Sequence, residues 1–198
     1  MQKSLLIVFV KNLVLGTVKT RLARTVGDEK ALQVYKDLLH HTKSQIQPLS
    51  QDKDIYYNLV TEKNDLWNGL PCEKLVQNGD SLGDRMSHAF QNAFERDYQK
   101  VVLIGSDCFD IKQQHIEEAF NKLDSQNVVI GPAVDGGYYL IGMSDMHYQL
   151  FINKSWSTAI LRKETLQTLE EEKLSYHLLE ELNDIDTEED LIQSGKSY

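Results

Sequence analysis

The stretch Ser4-Leu5-Leu6-Ile7-Val8-Phe9-Val10 decides the fold class of this 198-residue chain. A continuous apolar, β-branched run without polar alternation is typical of a strand buried on both faces, as in parallel sheets covered by helices. The run is too short to span a membrane, and it lacks the basic flank and small-residue cleavage site of a secretory signal. We therefore expect a central strand, in a mature chain that starts at Met1.

Extended and helical patterns alternate along the rest of the chain. Apolar residues at 29–47 follow the 3.6-residue period of a helix, and Ser81 followed by Asp84 has the spacing of a capping box that opens another. Further strands are predicted at 54–60, 75–77, 101–105, 128–131, 138–143 and 176–179, and further helices up to 123, from 158 to 173 and from 187. This alternation predicts a mostly parallel sheet with helices on both faces, and a single α/β domain over residues 1–198.

Two details of the pattern concern helix ends. Residues 11–27 show no clear period, so this segment is predicted to be a loop that leads to an N-cap at Asp28. Asp110 followed by Gln113 repeats the capping-box spacing, which predicts that Asp110 caps the next helix.

The overall composition excludes several classes of protein. With 41% hydrophobic and 26% charged residues, the chain has the balance of a globular domain. A net charge of −9 argues against nucleic-acid binding, which depends on clustered lysine and arginine. The two cysteines, Cys72 and Cys108, form neither a disulfide framework nor a zinc motif, so a reduced, cytoplasmic setting is expected.

Charge is distributed unevenly along the chain. The segment before Asp28 has five cations and no acid, whereas residues 164–190 contain eleven acids and one lysine. The first segment is suited to an anion and the second to a metal ion. Ordinary solvated surface is the alternative, and it is the better explanation of the run at 164–181.

Three polar clusters follow predicted strands, at residues 11–24, 106–110 and 135–139. In sheets of this kind, ligands bind beyond the carboxyl ends of the strands. We therefore expect the three clusters to meet in one ligand site.

The first cluster contains Gly16-Thr17-Val18-Lys19-Thr20-Arg21-Leu22. Neither the dinucleotide pattern G-x-G-x-x-G nor the P-loop pattern is present, so both of those sites are excluded. The segment from Lys11 through Gly16 to Arg21 would hold a di- or triphosphate through its amide groups, with Lys19 as a point charge and Arg21 as a bidentate fork. A solvated basic loop is the alternative, and composition does not separate the two.

Asp107 stands just after the predicted strand 101–105. A carboxylate there is suited to ligate Mg²⁺, which takes one or two carboxylates and shares its other positions with phosphates and water. Capping the next helix is the alternative, but Asp110 fits that role better. The adjacent Cys108 is not expected to be a nucleophile, because no histidine lies nearby in the sequence.

Two further features have both a structural and a functional interpretation. Asp135-Gly136-Gly137 is a tight turn, and its glycines would also let the backbone approach a sugar or nucleotide while Asp135 accepts hydrogen bonds. Trp156 is suited to stack on a base or sugar ring, although core packing is the commoner outcome for tryptophan.

Near the C-terminus, Asp184-Ile185-Asp186 begins like the D-x-D-x-T pattern of haloacid-dehalogenase phosphatases. That chemistry needs a buried apolar strand directly before the first aspartate, whereas the polar residues 180–183 precede it here, so this interpretation is rejected. Asp186 or Thr187 is expected to cap the last helix. Asp184 or Asp186 then remains free to face a metal ion.

Six short motifs occur in a characteristic order. They are Phe9-Val10-Lys11 with Lys19-Thr20-Arg21-Leu22, Gly79-Asp80-Ser81-Leu82-Gly83-Asp84-Arg85-Met86, Ile104-Gly105-Ser106-Asp107-Cys108, Ile130-Gly131-Pro132 with Asp135-Gly136-Gly137-Tyr138-Tyr139, Trp156-Ser157-Thr158 and Leu182-Asn183-Asp184-Ile185-Asp186. From about residue 4 to 192, the chain resembles the radical-SAM/selenodomain-associated transferases, a bacterial family of small glycosyltransferase-like proteins.

The resemblance implies the glycosyltransferase-A type fold of nucleotide-diphospho-sugar transferases, a three-layer α/β/α arrangement. It also implies that Lys19 and Arg21 contact phosphates and that Asp107 is a ligand of Mg²⁺ or Mn²⁺. Asp186, or Asp184 as the alternate, would be the second ligand. The basic loop and the glycine turn are similar, in addition, to those of nucleotidyltransferases such as phospholactate guanylyltransferase.

Together these observations predict a transferase that uses a nucleotide-activated donor and a small-molecule acceptor. Gly16 is the only glycine between Lys11 and Leu22, which leaves few backbone donors for three phosphates and favours glycosyl transfer from a nucleotide-sugar. Nucleotidyl transfer with release of pyrophosphate is the alternative. A non-catalytic nucleotide-sensing module on the same fold is a further alternative, because fold alone does not establish catalysis.

Overall fold

The computed structural model describes residues 3–196 and 198. In this part of the chain, seven strands form one sheet in the order β3-β2-β1-β4-β6-β5-β7. The strands are β1 (Ser4–Val10), β2 (Asp52–Tyr57), β3 (Glu73–Val76), β4 (Lys100–Ile104), β5 (Val128–Pro132), β6 (Tyr138–Met143) and β7 (Tyr176–Leu178).

Strand β1 occupies the central position that its sequence predicts. It pairs in parallel with β2 and β4, and Val8 lies opposite Ile55 on one side and Ile104 on the other. Residues 5–10 are all buried. Alternate residues of β1 enter two separate hydrophobic clusters, one containing Val8 and the other Ile7, because successive side chains of a strand point to opposite faces.

Helices cover both faces of the sheet. Their bounds are α1 (Thr20–Val26), α2 (Asp28–Ile46), α3 (Leu82–Glu95), α4 (Gln113–Lys122), α5 (Leu161–Glu171) and α6 (Glu188–Gln193). Helices α1, α2, α4 and α6 contribute to the cluster with Val8, whereas α3 and α5 contribute to the cluster with Ile7. The three-layer, mostly parallel arrangement is therefore confirmed.

Strand β6 is the exception to the parallel order. It runs antiparallel to both β4 and β5, its two neighbours in the sheet. Its first residue, Tyr138, consequently lies at the edge where the parallel strands end. The turn between β5 and β6 is thereby placed at the same edge as the loops that follow β1 and β4.

Two predictions about helix ends are wrong. The segment 11–27 contains the seven-residue helix α1, which packs on α2, and Gly27 rather than Asp28 precedes α2 as its N-cap. The sequence shows no helical period here, because Leu22 is the single fully buried residue of α1. Lys112 rather than Asp110 is the N-cap of α4, because Ile111 is buried in the core and the helix starts after it.

None of the helices in the described residues combines the length and the apolar character that crossing a membrane requires.

Candidate active site

A cavity of about 590 Å³ opens at the carboxyl edge of the sheet. All three predicted polar clusters contribute to its wall. The predicted site residues in the wall are Lys11, Lys19, Arg21, Asp107, Asp135, Gly137, Trp156, Asp184 and Asp186. The fold therefore brings residues from five separate loops to one place.

Lys19 has both an unfavourable backbone conformation and a buried side chain. It directly precedes α1 with φ 48° and ψ 44°, a left-handed conformation that is unfavourable for a residue with a side chain. Its side chain is only 3% exposed, and its Nζ lies 2.5 Å from Asp107 Oδ1 and 3.5 Å from Asp186 Oδ1. Lys19 thus combines a strained backbone with an ammonium group that is buried between two carboxylates.

Asp107 and Asp186 lie close together because a backbone hydrogen bond connects their two chain segments. The amide of Ile185 donates a hydrogen bond of 2.8 Å to the carbonyl of Asp107, and the Ile185 side chain is buried. Thr187 caps α6 in a capping box with Asp190, whose carboxylate also accepts the amide of Asp186. Thr187 rather than Asp186 therefore supplies the cap, which leaves the Asp186 carboxylate at the cavity.

Arg21, the second predicted phosphate ligand, also contacts an acid. Its Nη1 lies 3.2 Å from Asp186 Oδ2, and its side chain is 58% exposed. Arg21 is therefore freer to move than Lys19, because little protein surface encloses it.

The charges in the cavity shift one another's protonation. Burial lowers the pKa of Lys19, but the charge of Asp107 and then that of Asp186 outweigh it, so the pKa lies above the ordinary lysine value. Burial likewise raises the pKa of Asp107, but the Lys19 charge and hydrogen bond bring it below the ordinary value. The pair is consequently ionised at neutral pH.

Asp184 shows the opposite behaviour. Burial, followed by the charge of Asp107, raises the pKa of Asp184 to about 7, although Lys19 opposes the shift. Asp184 is therefore only partly ionised near neutral pH, whereas Asp107 is charged.

The donor set at Asp107 and Asp186 fits a divalent cation. Carboxylate oxygens are the ligands that Mg²⁺ and Mn²⁺ prefer, and two of them suffice when phosphates and water complete the coordination. In this structure the Lys19 ammonium stands in for a cation between the two groups. Within residues 3–196 and 198, no three histidine, cysteine or acidic side chains converge on one point as metal ligands.

Two predicted binding residues, Gly16 and Gly136, do not line the cavity. Gly136 has φ +88°, and a Cβ there would overlap the carbonyl group of Ala159. The close backbone approach that this glycine permits is thus to another loop of the protein. In the same turn, Asp135 Oδ1 accepts a 2.8 Å hydrogen bond from the amide of Gly137, so one carboxylate oxygen is used within the turn.

Trp156 combines both roles considered for it. Its ring stacks on Phe151, with centroids 6.4 Å apart, and meets Tyr138 edge-on at 6.5 Å. It also lines the cavity and is partly exposed. The core contacts hold one part of the ring while another part faces the cavity.

Sequence reasoning missed several residues of the cavity wall. Asn58 and Gln77 follow β2 and β3, and Tyr35 reaches the cavity from α2, where its hydroxyl accepts the Lys11 amide and bonds Ser106 Oγ. Nothing in the sequence distinguishes these polar residues from others on the surface. Arg85 was also missed as a site residue, although it lies within the motif at 79–86.

Cys108 is buried beside the cavity. Burial, followed by the charge of Asp184, raises the pKa of its thiol to about 12. A thiol that remains protonated at neutral pH is a poor nucleophile, which agrees with the expectation from the sequence.

Comparison with known proteins identifies the family. Residues 49–158 match the family model DUF2064, whose description is "Uncharacterized protein conserved in bacteria". A crystal structure of a candidate nucleotide-diphospho-sugar transferase from Desulfovibrio desulfuricans G20 is 35% identical in sequence, with a TM-score of 0.86, over 94% of this chain and 84% of that one. This chain therefore belongs to the DUF2064 family, and its fold is that of the nucleotide-diphospho-sugar transferases.

More distant structures share the fold. The inositol-1-phosphate CTP transferase of T. maritima has a TM-score of 0.61 and 13% identity, over 96% of this chain and 92% of that one. The glucosyl-3-phosphoglycerate synthase of Mycobacterium tuberculosis, in complex with Mn²⁺, UDP and glucosyl-3-phosphoglycerate, has a TM-score of 0.59 and 8% identity, over 92% and 71%. No curated protein sequence matches the chain.

Proposed function

We propose that this protein is a divalent-metal-dependent transferase that takes a nucleotide-activated donor and transfers its sugar to a small-molecule acceptor. The observation that carries the proposal is the pair of carboxylates, Asp107 and Asp186, on either side of one ammonium in a cavity at the carboxyl edge of the sheet. That edge is where parallel α/β sheets bind ligands.

The structural relatives support the use of nucleotides. The D. desulfuricans protein is a candidate nucleotide-diphospho-sugar transferase, the T. maritima enzyme is a CTP transferase, and the M. tuberculosis enzyme binds UDP together with Mn²⁺. The narrower assignment to the radical-SAM/selenodomain-associated transferases stays a prediction. The family and the cavity together favour an enzyme over a nucleotide-sensing module.

In this proposal, Asp107 and Asp186 hold Mg²⁺ or Mn²⁺, with Asp184 as the alternate ligand. The metal ion supplies positive charge against the donor diphosphate and its leaving group. Lys19, Arg21 and Lys11 then neutralise the remaining phosphate charge. Asp135 and Gly137 also line the cavity and would position the second substrate.

Transfer of the sugar requires no protein nucleophile. An acceptor oxygen forms a bond to the anomeric carbon, the bond from that carbon to the diphosphate oxygen breaks, and the nucleoside diphosphate leaves with the electron pair. The acceptor proton passes to solvent or to a phosphate oxygen. Catalysis then rests on positioning and on charge stabilisation, which Lys19 and Arg21 provide.

The loop after β1 favours glycosyl over nucleotidyl transfer. Nucleotidyl transfer requires that three phosphates be wrapped, usually by several backbone amides. Four amides of this loop already donate to protein acceptors: Lys11 to Tyr35, Asn12 to Asn58, Val14 to Asn12 and Thr17 to Val14. Few amides of this loop are left to bind phosphate. A diphosphate therefore fits the loop better than a triphosphate, because it would be held largely by a metal ion and side-chain cations.

Nucleotidyl transfer is the second candidate, and the similarity to the T. maritima CTP transferase over nearly the full length of both chains favours it. The two reactions release different products. We would incubate the protein and Mn²⁺ with nucleotide-sugars or with nucleoside triphosphates, together with phosphorylated and sugar acceptors. Release of a nucleoside diphosphate supports glycosyl transfer, whereas pyrophosphate in the triphosphate set overturns it.

A binding experiment tests the metal site separately. Asp107→Asn should abolish Mn²⁺-dependent nucleotide binding in calorimetry, because it removes a charged ligand. Asp124→Asn is the matched control, since Asp124 also lies 2.5 Å from a buried lysine, Lys100, but away from the cavity. Unchanged affinity in the Asp107 variant would place the metal elsewhere, and nucleotide binding without turnover would favour the sensing module.

A further inference from the structure

The motif at residues 79–86 is not used by the donor chemistry proposed above. Ser81 and Asp84 form a complete capping box at the start of α3. Gly79 lies so close to Asp84 that a Cβ would overlap it, and Gly83 lies against the Trp156 ring, which a Cβ would also overlap. The motif therefore forms a tight start to α3, and the charged residue of the motif that lines the cavity is Arg85.

Arg85 is hydrogen-bonded through its Nε, whereas its two Nη groups have no hydrogen-bond partner within the described residues. Its Nε donates a 3.0 Å hydrogen bond to the carbonyl of Gly79, and the partly buried side chain lines the cavity. No carboxylate of the described residues forms an ion pair with it. The adjacent Asp84 forms no ion pair with it, and that carboxylate accepts hydrogen bonds from the amide and the hydroxyl of Ser81 instead.

Arg85 enters the cavity from the face of the sheet opposite to Lys19 and Arg21. Helix α3 packs in the hydrophobic cluster that contains Ile7, whereas α1 packs in the cluster that contains Val8. The cavity thus has two sources of positive charge on different sides. Lys19 and Arg21, beside α1, lie next to the carboxylates that would hold the metal ion. Arg85 belongs to α3, the helix whose Gly83 packs against Trp156.

We propose that Arg85 binds an anionic group, phosphate or carboxylate, on the acceptor. This inference rests on the proposed function, since an acceptor exists only if the protein is a transferase. A guanidinium held by Nε keeps its two Nη groups available as a fork for two oxygens of such an anion. The donor diphosphate has its own cations on the other side, so the second anion site selects an acidic acceptor, whose ring or chain lies along Trp156.

The test uses simple anions as probes. Inorganic phosphate and D-glycerate would be titrated calorimetrically into the protein alone and into the protein saturated with UDP or GDP and Mn²⁺. In the wild type, one of the two probes should bind in both states. Arg85→Gln should weaken that binding about 10- to 100-fold, the loss expected for a charged hydrogen-bonded fork, and leave nucleotide affinity unchanged.

Two further variants complete the design. Arg85→Lys keeps the positive charge but not the guanidinium fork, so it should lose only part of the probe affinity. Such an intermediate affinity would show that the loss in Arg85→Gln does not come from a folding defect. Arg24→Gln, at an exposed position near the end of α1, is the matched control and should bind the probes like the wild type. Phosphate acting as the tighter probe indicates a phosphorylated acceptor, and glycerate indicates a carboxylic acid.

Three results would overturn the inference. These are unchanged probe affinity in Arg85→Gln, an equal loss of nucleotide affinity in that variant, and no binding of either probe to the wild type. The second result would assign Arg85 to the donor phosphates. Failure of the nucleotide itself to bind counts against the proposed function instead, because probe binding is also measured without nucleotide.

Discussion

Lys19 Nζ and Asp107 Oδ1 lie 2.5 Å apart at the carboxyl end of β4, and the lysine side chain is almost completely buried. The ammonium thus takes up a coordination position of the carboxylate that is proposed to hold the metal ion. A divalent cation bound at Asp107 would have to displace Lys19 from that position. The displaced ammonium would then be free to neutralise the donor phosphates, so the two proposed roles of this cluster are linked.

The first prediction concerns this competition. Lys19→Met keeps the length of the side chain and removes its charge, so the free protein should bind Mn²⁺ on the order of tenfold more tightly. Mn²⁺ affinity measured by electron paramagnetic resonance, without nucleotide, checks this. Lys63→Met, at an exposed position, is the control and should match the wild type. Weaker Mn²⁺ binding in Lys19→Met would show that the ion and the ammonium do not compete.

The second prediction concerns the exposed cation of the loop. Arg21 contacts Asp186 and faces the cavity, so Arg21→Ala should lower the turnover rate on the order of 10²- to 10³-fold, as expected when a charge aimed at a developing negative charge is removed. Lys3→Ala should have little effect, since Lys3 bonds the carbonyl of Arg96 away from the cavity. Similar small losses in both variants would indicate an ordinary solvated loop.

The sheet was predictable because buried strands can be recognised in the sequence as continuous apolar runs. The apolar run at β1 and the alternation that follows it are enough to predict a mostly parallel sheet with helices on both faces. The short helix α1 and the antiparallel β6 were not visible. A seven-residue helix with one fully buried residue shows no period, and the direction of a strand is set by its neighbours rather than by its own residues.

The candidate site was predictable where charged residues directly follow strands. Lys19, Arg21 and Asp107 could be found in this way, and Asp186 through its unusual acidic segment. The shared position of Asp107 and Asp186 followed only from the family resemblance. The ion pairing of Lys19 with both carboxylates was not predicted, because it depends on tertiary packing, including the backbone hydrogen bond between Ile185 and Asp107. Neutral or isolated polar residues such as Gln77 reach the cavity only through tertiary packing.

The third prediction compares two buried tyrosines. The Tyr138 hydroxyl is buried and has no hydrogen-bond partner among the described residues, whereas the Tyr35 hydroxyl bonds both the Lys11 amide and Ser106. Tyr138→Phe should therefore raise the free energy of unfolding by about 1 kcal/mol, and Tyr35→Phe should lower it by about 1–3 kcal/mol. Urea denaturation measures both. A lower stability for Tyr138→Phe would reveal a bonded hydroxyl.

The fourth prediction concerns thiol chemistry. With the pKa of Cys108 raised to about 12, its thiolate fraction at pH 8 is on the order of 1 in 10,000, and burial limits access further. Cys72 also has a raised pKa, owing to burial. Both thiols should react slowly with Ellman's reagent in the native protein and rapidly in urea, and the native rate should rise with pH up to at least 10. Fast native modification at pH 7 would restore Cys108 as a candidate nucleophile.

The last prediction concerns the contact between α3 and Trp156. A Cβ at Gly83 would overlap the indole ring, so Gly83→Ala should displace Trp156 and lower the free energy of unfolding by about 1–3 kcal/mol, the usual cost of overpacking. The matched control is Gly105→Ala, where a Cβ meets nothing within 4 Å. Urea denaturation should show a change of no more than about 0.5 kcal/mol in the control. The other tryptophan, Trp67, is buried in the other cluster, so a fluorescence shift confined to Gly83→Ala would report Trp156 itself. Equal stability and equal fluorescence in the two variants would contradict the contact between Gly83 and Trp156.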